Sequence, residues 1–547
     1  MSASISPDPV AFPVLSASEL GELAAFGSER AVSAGHLLFK AGEASFDLFV
    51  ILEGAAQVFR SGEEGDVVVA AFEPGMFVGE LNLLTGQRRF LTARITRAGR
   101  VVVIAEAEFR RLMSVLPVLS ETIFRALVAR REILRSGEGA QAIRIVGSRY
   151  SREAMALRGF AEHSRLVHAW IDVEDVDDVD GLLATMGLRR ADIPAVVMAT
   201  ETLRRPSPGT FAAHLGLTFQ PIPGYIFDLV VVGSGPAGLA AAVYGASEGL
   251  RTVSLDAVAI GGQAGASTRI ENYAGFPNGI SGGDLTSRAA VQALRLGARL
   301  NAPCEAAGLR VEGGFHAVVL ADGSEIPTLA VIVASGARYR RLAVDDLDRF
   351  EGAGVYYAAT DLEARVCDGS PVLVIGGGNS AGQAAIYLGQ HNCKVTLAIR
   401  RDDLTQTMSQ YLIERIEADP KIDLLTGVEV QALAGEDHLE QVTLSHNASG
   451  RQETTACSGL FCFIGATPET GWLGPDVLLD RHGFVLTDRQ LPDSLTGASD
   501  PLPFETSVPG VFAAGDVRHG SLKRVAAAVG EGSSAVRSVH ERLSTQA

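Results

Sequence analysis

The sequence predicts a multidomain protein with an N-terminal β jelly-roll or barrel followed by helices, a small α/β module, and two Rossmann-like α/β domains. Three observations lead to this prediction. The chain has 547 residues, and one domain usually takes about 100–200. Short strands separated by glycine turns fill residues 14–112, which is typical of β-barrels. Two strand–glycine-turn–helix units lie around Gly233 and Gly376, too far apart for a solenoid repeat.

Composition and charge argue against several classes of function. The chain has 47 Lys and Arg against 64 Asp and Glu, a net charge of −17, whereas a nucleic-acid-binding surface needs clustered positive charge. Residues 1–12 show no leader pattern, and glycines interrupt the weakly charged stretch 229–250, so we expect neither a signal peptide nor a membrane span. The 5 cysteines include no C-x-x-C pair, so we expect no metal site and a cytoplasmic location.

The N-terminal domain is predicted to span residues 1–136. Its strands are predicted at residues 36–43, 47–54, 55–62 and 66–75. Residues 107–135 then carry apolar side chains at helical spacing, which predicts a helix.

The middle module is predicted to span residues 140–220 and to alternate strand and helix. Strands are predicted at 143–146, 167–173 and 194–199, and helices at 152–163, 179–188 and 210–215. Prolines on both sides of the last helix mark a domain boundary near residue 220.

The first glycine turn has the pattern of a dinucleotide-binding site. A buried strand at residues 227–232 runs into Gly233-x-Gly235-x-x-Gly238, and a helix follows. Such glycines allow a tight turn and let backbone N–H groups reach a pyrophosphate at a helix N-terminus. The next strand ends at Asp256, near the position expected for an acid that holds a ribose hydroxyl. We therefore predict a dinucleotide site here.

The second glycine turn has the same pattern with a different strand end. Gly376, Gly378 and Ala381 take the fingerprint positions, and the acid is replaced by Arg400 followed by Arg401. Because arginines pair well with a 2′-phosphate, this site is predicted to prefer NADPH to NADH. The alternative is two solvated arginines. Two such folds predict a flavoprotein reductase that binds FAD and NADPH.

Residues 225–547 resemble the thioredoxin reductase family of FAD/NAD(P)H disulfide oxidoreductases. The resemblance follows the family order over the last 323 residues. The segments that carry it are VVGSGPAGLAAAVY, GGQ (261–263), IENYAGFPNGISG (270–282), VIVASGA (331–337), VIGGGNSAGQAA, FIGATPET (463–470) and GVFAAGDVRHGSLKRVAAAVGEG (510–532).

The resemblance implies a role for each matching residue. FAD would be held by Gly233, Gly235, Pro236, Ala237, Gly238, Asp256, Gly262, Gln263, Asn272, Gly515, Asp516, Lys523, Arg524 and Val525. NADPH would be held by Gly376, Gly378, Asn379, Ser380, Ala381, Arg400 and Arg401. The resemblance also implies a discontinuous FAD domain at 225–338 and 466–547, an inserted NADPH domain at 339–465, and a homodimer.

One departure from the family changes the expected chemistry. The family carries a redox-active C-x-x-C dithiol before the second fingerprint, and this chain has Ala358 and Asp361 at those positions. Neither side chain can cycle through a disulfide. Cys367 stands alone six residues further on. We therefore do not expect thioredoxin reduction through a dithiol of this chain, and Asp361 becomes the candidate polar residue near the flavin.

The middle module resembles a thioredoxin- or glutaredoxin-like fold. In that fold an X-Pro bond before a strand is cis and borders the redox site, and Ile193-Pro194 has this position. The place of the C-x-x-C is taken by Ser148-Arg149-Tyr150-Ser151, so this module lacks thiols as well. The alternative is an unrelated α/β spacer.

Residues 72–95, FEPGMFVGELNLLTGQRRFLTARI, resemble the phosphate-binding cassette of cyclic nucleotide-binding domains. Gly79-Glu80 and Arg89 match the family pattern, which implies that Glu80 accepts from the ribose 2′-hydroxyl and that Arg89 pairs with the cyclic phosphate. The family usually has small residues after the arginine, and this chain has Phe90 and Leu91. Two expectations stay open: an effector site for cAMP or cGMP, or a degenerate domain used for dimerisation or docking.

The leading hypothesis is an enzyme that passes electrons from NADPH through FAD to a small-molecule or protein acceptor. A non-catalytic sensor or scaffold that binds these nucleotides is the alternative from another class. A ferredoxin–NADP reductase-like enzyme is the alternative within the same class, weakened because the sequence ends VHERLSTQA without the aromatic extension common in such enzymes. The sequence does not identify the acceptor, because acceptor choice depends on surface shape.

Overall fold

The structure is a computed structural model that describes residues 8–44, 47–62, 65–80, 82–85, 87–267, 269–312, 315–492 and 501–546. By its internal contacts the chain divides into two compact units. The first contains the N-terminal domain and most of the middle module together with residues 291–303, and the second contains the two Rossmann-like domains.

The N-terminal domain is an antiparallel six-stranded β structure with the strand order β1-β6-β3-β4, to which β2 and β5 add at β6 and β3. Its elements are α1 (Ala17–Ala24), β1 (Ser28–Val32), β2 (Leu37–Phe39), β3 (Leu48–Gly62), β4 (Gly65–Phe72), β5 (Phe77–Val78), α2 (Asn82–Thr85), β6 (Thr92–Ile104), α3 (Glu106–Val115) and α4 (Pro117–Ser136).

Two elements of this domain differ from the sequence prediction. The strands predicted at 47–54 and 55–62 form one long strand, β3, whose pairing with β6 shifts register between Ile51 and Ala56. Gly54, at φ +93°, lies at this irregularity because a Cβ there would collide with the Arg97 carbonyl. The helix predicted at 107–135 is two helices, because Pro117 starts a new helix at its first position.

No described helix has, by itself, both the length and the apolar character needed to cross a membrane. Helices Glu106–Met113 and Pro117–Ser136 meet that test only as a pair, and the chain bends by 117° between them.

The middle module is a four-stranded mixed sheet in the order β10-β9-β7-β8. Its elements are β7 (Ile143–Gly147), α5 (Arg152–His163), β8 (Ala169–Asp172), α6 (Val179–Thr185), β9 (Ala195–Met198), β10 (Thr202–Arg204) and α7 (Pro208–His214). Strands β7 and β8 are parallel, and β9 runs antiparallel to both β7 and β10. The Ile193–Pro194 peptide bond is cis.

The third domain is built on a seven-stranded sheet in the order β13-β12-β11-β16-β15-β14. Its first elements are β11 (Phe227–Val232), α8 (Pro236–Ser247), β12 (Thr252–Leu255), α9 (Gly262–Gly265), α10 (Gly282–Arg295), β13 (Arg299–Asn301), β14 (Ala306–Glu312), β15 (Phe315–Leu320) and β16 (Glu325–Val333). Strand β11 lies parallel to β12 and β16, so the glycine turn after it opens at the carboxyl edge of the sheet, where such folds bind nucleotides.

The fourth domain has a five-stranded parallel sheet, β18-β25-β19-β20-β21, and a three-stranded antiparallel sheet, β22-β23-β24. Its elements are β17 (Ala337–Tyr339), α11 (Leu347–Phe350), β18 (Val355–Tyr356), α12 (Asp361–Val366), β19 (Pro371–Ile375), α13 (Asn379–Gln390), β20 (Lys394–Ile399), α14 (Gln410–Ala418), β21 (Ile422–Thr426), β22 (Val428–Ala434), β23 (Gln441–His446), β24 (Gln452–Ala456), β25 (Gly459–Cys462) and β26 (Ala466–Pro468).

The chain then returns to the third domain. Strands β17 and β26, which enter and leave the fourth domain, pair with each other. Strand β27 (Val511–Ala513) adds to the third sheet in parallel beside β16. The last helix, α15 (Val525–Gln546), packs against α8. Residues on both sides of the fourth domain therefore build one sheet and one core.

Candidate functional site

The turn after β11 is a cradle of backbone without side chains. Gly233 has φ +107°, and a Cβ at Gly238 would collide with the Gly233 carbonyl. Gly262 has φ +55°, and a Cβ there would lie 2.9 Å from the Cα of Gly235. Two loops thus approach each other backbone to backbone at the start of α8. This open backbone is the geometry that a dinucleotide pyrophosphate requires.

Asp256, at the end of β12, holds the turn through its carboxylate. Its oxygens accept hydrogen bonds from the backbone N–H groups of Ser234 at 2.8 Å, Val258 at 3.0 Å and Ala259 at 3.1 Å. Burial raises the pKa of Asp256, and these three hydrogen bonds oppose the shift. Asp256 therefore organises the glycine turn from within the chain.

A second turn, between β27 and α15, faces the start of α8. Gly515 has φ +78°, and a Cβ there would lie 2.8 Å from the Cβ of Ala237. The Gly515 N–H donates to Glu531 Oε2 at 2.8 Å, and Arg518 donates to both oxygens of Glu531, at 3.1 and 2.8 Å. The ion pair of Arg518 and Glu531 therefore fixes the loop that carries Asp516.

Asp516 lies near the start of this loop and Lys523 near its end. Burial raises the pKa of Asp516, and the nearby Lys523 opposes that shift. Lys523 Nζ donates to the Asp516 carbonyl at 3.1 Å and lies 4.4 Å from the ring centroid of Phe484. Burial lowers the pKa of Lys523. Arg524 is exposed and Val525 begins α15.

The remaining residues assigned to the flavin lie on the loops next to α9. The Gln263 side-chain amide donates to the carbonyl of Ala337, the first residue of β17. Asn272 is exposed. The glycine cradle, the ordered acid at Asp256 and the Asp516 loop together fit an FAD molecule.

The turn after β19 repeats the cradle in the fourth domain. Gly376 has φ +133°, and a Cβ there would collide with the Phe463 carbonyl. Gly378 caps α13, and a Cβ there would meet no atom within 4 Å. The Asn379 side chain fixes the loop before α14, because it accepts from Ser409 N at 2.7 Å and donates to Ser409 Oγ at 2.9 Å. Ala381 is fully buried.

Two more features of this cradle bear on NADPH. Ser380 hydrogen-bonds the hydroxyl of Tyr339, whose pKa is raised by burial. Arg400 and Arg401 follow β20 and are exposed. Arg401 Nη1 donates to Gln406 Oε1 at 3.4 Å. Two exposed guanidinium groups beside an open glycine turn fit a nicotinamide dinucleotide with a 2′-phosphate.

All 5 cysteines are free and buried. Burial raises the pKa of Cys393 and Cys457 to about 11 and that of Cys367 and Cys462 to about 12. Asp361 begins α12, and its side chain lies outside the part of the chain that the structure describes. Ala358 lies in the loop before that helix. The described chain therefore presents no exposed thiol.

The N-terminal domain brings Gly79, Glu80 and Arg89 to the wall of one cavity. Glu80 is paired within the chain, because both of its oxygens accept from Arg131 on α4, one of them at 2.8 Å. Arg89 is buried, donates to the Asp47 carbonyl at 2.8 Å, and lies 3.8 Å from the ring centroid of Phe39. Phe90 and Leu91 line the same cavity.

Several residues that position these sites follow no local sequence pattern. Glu531, Arg518, Arg131 and Tyr339 act through contacts with residues distant in the sequence, so no local spacing identifies them. One signal was available: Arg130 and Arg131 interrupt the apolar stripe of α4, and both are buried. A charged pair inside an apolar helix face indicates a buried polar contact.

Two dinucleotide-binding folds in one compact unit define the class of this protein, a pyridine nucleotide-dependent flavoprotein. A sequence model described as pyridine nucleotide-disulphide oxidoreductase matches residues 227–532, more than half of the chain, so the chain belongs to that family. A model of the cyclic nucleotide-binding domain matches residues 29–115. The protein is thus a thioredoxin reductase-like FAD/NADPH oxidoreductase that carries a domain of the cyclic nucleotide-binding family.

Curated relatives and solved structures agree with this assignment. The chain is 32% identical over 324 residues to a thioredoxin reductase of Treponema pallidum, covering 58% of this chain and 98% of the relative. It is 33% identical over 315 residues to a bifunctional thioredoxin reductase/thioredoxin of Mycobacterium leprae, covering 57% and 64%. The crystal structure of Lactococcus lactis thioredoxin reductase aligns with a TM-score of 0.53 and 29% identity, covering 58% of this chain and 99% of that one.

Proposed function

We propose that this protein transfers electrons from NADPH to an external acceptor without a redox-active disulfide of its own. One observation carries the proposal: two open glycine cradles coexist with cysteines that are all buried. Neither Ala358 nor Asp361 can exchange a thiol with an acceptor. FAD, when bound, accepts a hydride from NADPH and passes on the electrons.

The chain's own residues bind and orient the two nucleotides. The open backbone at Gly235 and Gly262 leaves room for the FAD pyrophosphate against the start of α8, and Asp256 keeps that turn closed. Asp516 is available to the ribityl chain because Arg518 and Glu531 hold its loop. Arg400 and Arg401 select NADPH through its 2′-phosphate.

Asp361 is proposed as the polar residue that faces the flavin in place of a family cysteine. A carboxylate there stores no electrons, so the acceptor would have to reach the flavin site directly. The acceptor is a small molecule or a protein, and its size is set by the surface around the flavin.

We further infer that the middle module has a thioredoxin-like fold without thiols. The strand order β10-β9-β7-β8 and the antiparallel direction of β9 support this. Ser148 accordingly occupies a cysteine position, and its hydroxyl bonds Glu174 instead of a partner sulfur. The module would serve as a docking or spacing unit rather than as an electron carrier.

The N-terminal domain is proposed to regulate the reductase through a bound effector. The family of this domain allows cAMP and cGMP as effectors, so they are the reference ligands against which other effectors are tested. Adding each one during the reduction of bound FAD by NADPH tests regulation, because an effector must change the rate of that step.

Whether the missing dithiol prevents thioredoxin reduction is tested by introducing the two cysteines. The double variant Ala358→Cys and Asp361→Cys restores the family spacing and should reduce thioredoxin disulfide with NADPH, whereas the natural chain should not. Both proteins should reduce ferricyanide, an acceptor that needs no thiol. Robust thioredoxin turnover by the natural chain would contradict the proposal.

A further inference from the structure

The cavity of the N-terminal domain is small and mostly apolar. Its volume is about 60 Å³. About 10–15 Å³ of such space holds one water, so the cavity has room for about four to six. Its apolar wall includes Phe12, Phe39, Phe72, Phe90, Leu91 and Leu134. Room for about four to six waters suits a ligand smaller than a cyclic nucleotide.

Two buried polar atoms in this wall have no hydrogen-bond partner among the described residues. They are Nη2 of Arg130 and Oδ1 of Asn82. Arg130 is 4% exposed and Asn82 is 2% exposed, and both line the cavity. Leaving a buried polar group unsatisfied costs about 1–3 kcal/mol, so such atoms in a ligand-sized space indicate a missing partner.

The rest of the Arg130 side chain is firmly held. Its Nε donates to the Ala11 carbonyl at 2.7 Å and its Nη1 to the Gly79 carbonyl at 2.9 Å. The guanidinium carbon lies 4.4 Å from the ring centroid of Phe77, with the rings of Phe12 and Phe72 also within 5.2 Å. These contacts orient the third nitrogen and supply no anion.

The charge of the cavity wall is unbalanced. Among the described residues its charged side chains are Glu80, Arg89 and Arg130, and Glu80 is already neutralised by Arg131. Burial lowers the pKa of Arg130 to about 9 and that of Arg89 to about 10, so both remain cations at neutral pH. A buried cation is strongly stabilised by a paired anion.

We propose that this cavity binds a small organic monoanion, with its carboxylate against Nη2 of Arg130 and its apolar body among the phenyl rings, in place of a cyclic nucleotide. The anion supplies the acceptor that Nη2 lacks, and the aromatic wall excludes water from the pair. The effector role of this ligand rests on the regulation proposed above, whereas its binding does not.

The test is calorimetric titration of the full-length holoprotein with isobutyrate, benzoate, benzamide and cAMP. At least one of the two carboxylates should bind saturably at one site per chain. Benzamide, which has the shape of benzoate without its charge, should bind at least about tenfold more weakly than benzoate or not at all. Titrated cAMP should give no saturable binding.

Two variants at one position make the test specific. Asn82→Asp places a like charge beside the anion and should weaken carboxylate binding at least about a hundredfold. The matched control Asn82→Leu removes the side-chain amide without adding a charge and should weaken carboxylate binding less than about tenfold. Neither residue change touches the nucleotide cradles.

Three results would overturn the proposal: no saturable binding of either carboxylate, equal binding of benzoate and benzamide, or saturable cAMP binding without carboxylate binding. Failure of regulation is distinguishable, because it appears as unchanged flavin reduction by NADPH while a carboxylate still binds in the calorimeter.

Discussion

At the scale of single residues, the FAD cradle depends on positions where even one methyl group has no room. Gly262 combines φ +55° with a clearance of only 2.9 Å to the Cα of Gly235. Alanine at such a φ costs about 1 kcal/mol, and its methyl group would also occupy the gap between the two loops.

We therefore predict that Gly262→Ala lowers FAD affinity at least about tenfold while the protein stays folded. The measurement is the ratio of bound FAD to protein after dialysis, with circular dichroism to monitor folding. Gly530→Ala is the control, because no atom lies within 4 Å of a Cβ at that position in α15. It should retain FAD and gain slightly in stability. Equal FAD content in the two variants would contradict the prediction.

The cysteines make a second residue-scale prediction, on thiol reactivity. Only the thiolate form of a cysteine reacts. Burial raises the pKa of Cys393 to about 11 and the pKa of Cys367 to about 12. The thiolate fraction at pH 8 is then about one in a thousand or less. A chromogenic disulfide reagent should label no cysteine quickly at pH 8 in native protein. All 5 cysteines of the chain should react in guanidinium. Rapid labelling of one native thiol would show that a cysteine is accessible.

At the scale of elements, the turn between β27 and α15 is held by the ion pair of Arg518 and Glu531, whose side chains are 15% and 13% exposed. Removing one partner leaves the other charge largely buried, which costs about 3–5 kcal/mol in fully buried pairs. Residual exposure puts this pair near the lower end of that range.

We expect Glu531→Gln to lower the free energy of unfolding by about 2–3 kcal/mol and to release FAD, because glutamine lacks the charge and one of the two oxygens that accept from Arg518. Chemical denaturation and flavin fluorescence measure the two effects. The control is Glu325→Gln, whose partner Arg310 is 48% exposed, and it should change stability by less than about 1 kcal/mol. If both variants behave alike, the pair has no positioning role.

The end of β20 makes a prediction on coenzyme choice. Arg400 and Arg401 are exposed at this position. The corresponding position in the FAD domain, after β12, is occupied by Asp256. The double variant Arg400→Ala and Arg401→Ala should raise KM for NADPH about 10- to 100-fold and leave KM for NADH within about threefold. Arg451→Ala, at an exposed arginine before β24, is the control. A parallel rise in both KM values would show that the arginines do not read the 2′-phosphate.

At the scale of the whole molecule, local patterns predicted much of the architecture, because the spacing of apolar residues and the positions of glycines are visible in short stretches of the sequence. The predicted helix at 152–163 has the observed bounds of α5, Arg152–His163. Prediction failed where a distant strand decided the outcome: β3 continues through Gly54 because β6 pairs with it on both sides of that glycine. For the same reason, no sequence pattern paired Glu80 with Arg131, 51 residues away.

The most direct test of a dithiol-free reductase is anaerobic titration of the purified holoprotein with NADPH, followed by flavin absorbance. FAD is the single redox centre in this account and accepts one hydride, so bleaching should be complete after about one NADPH per FAD. A chain with an active disulfide would consume about two. Consumption of about two equivalents would contradict the account, and so would no bleaching within minutes, the result expected of a non-catalytic nucleotide-binding protein.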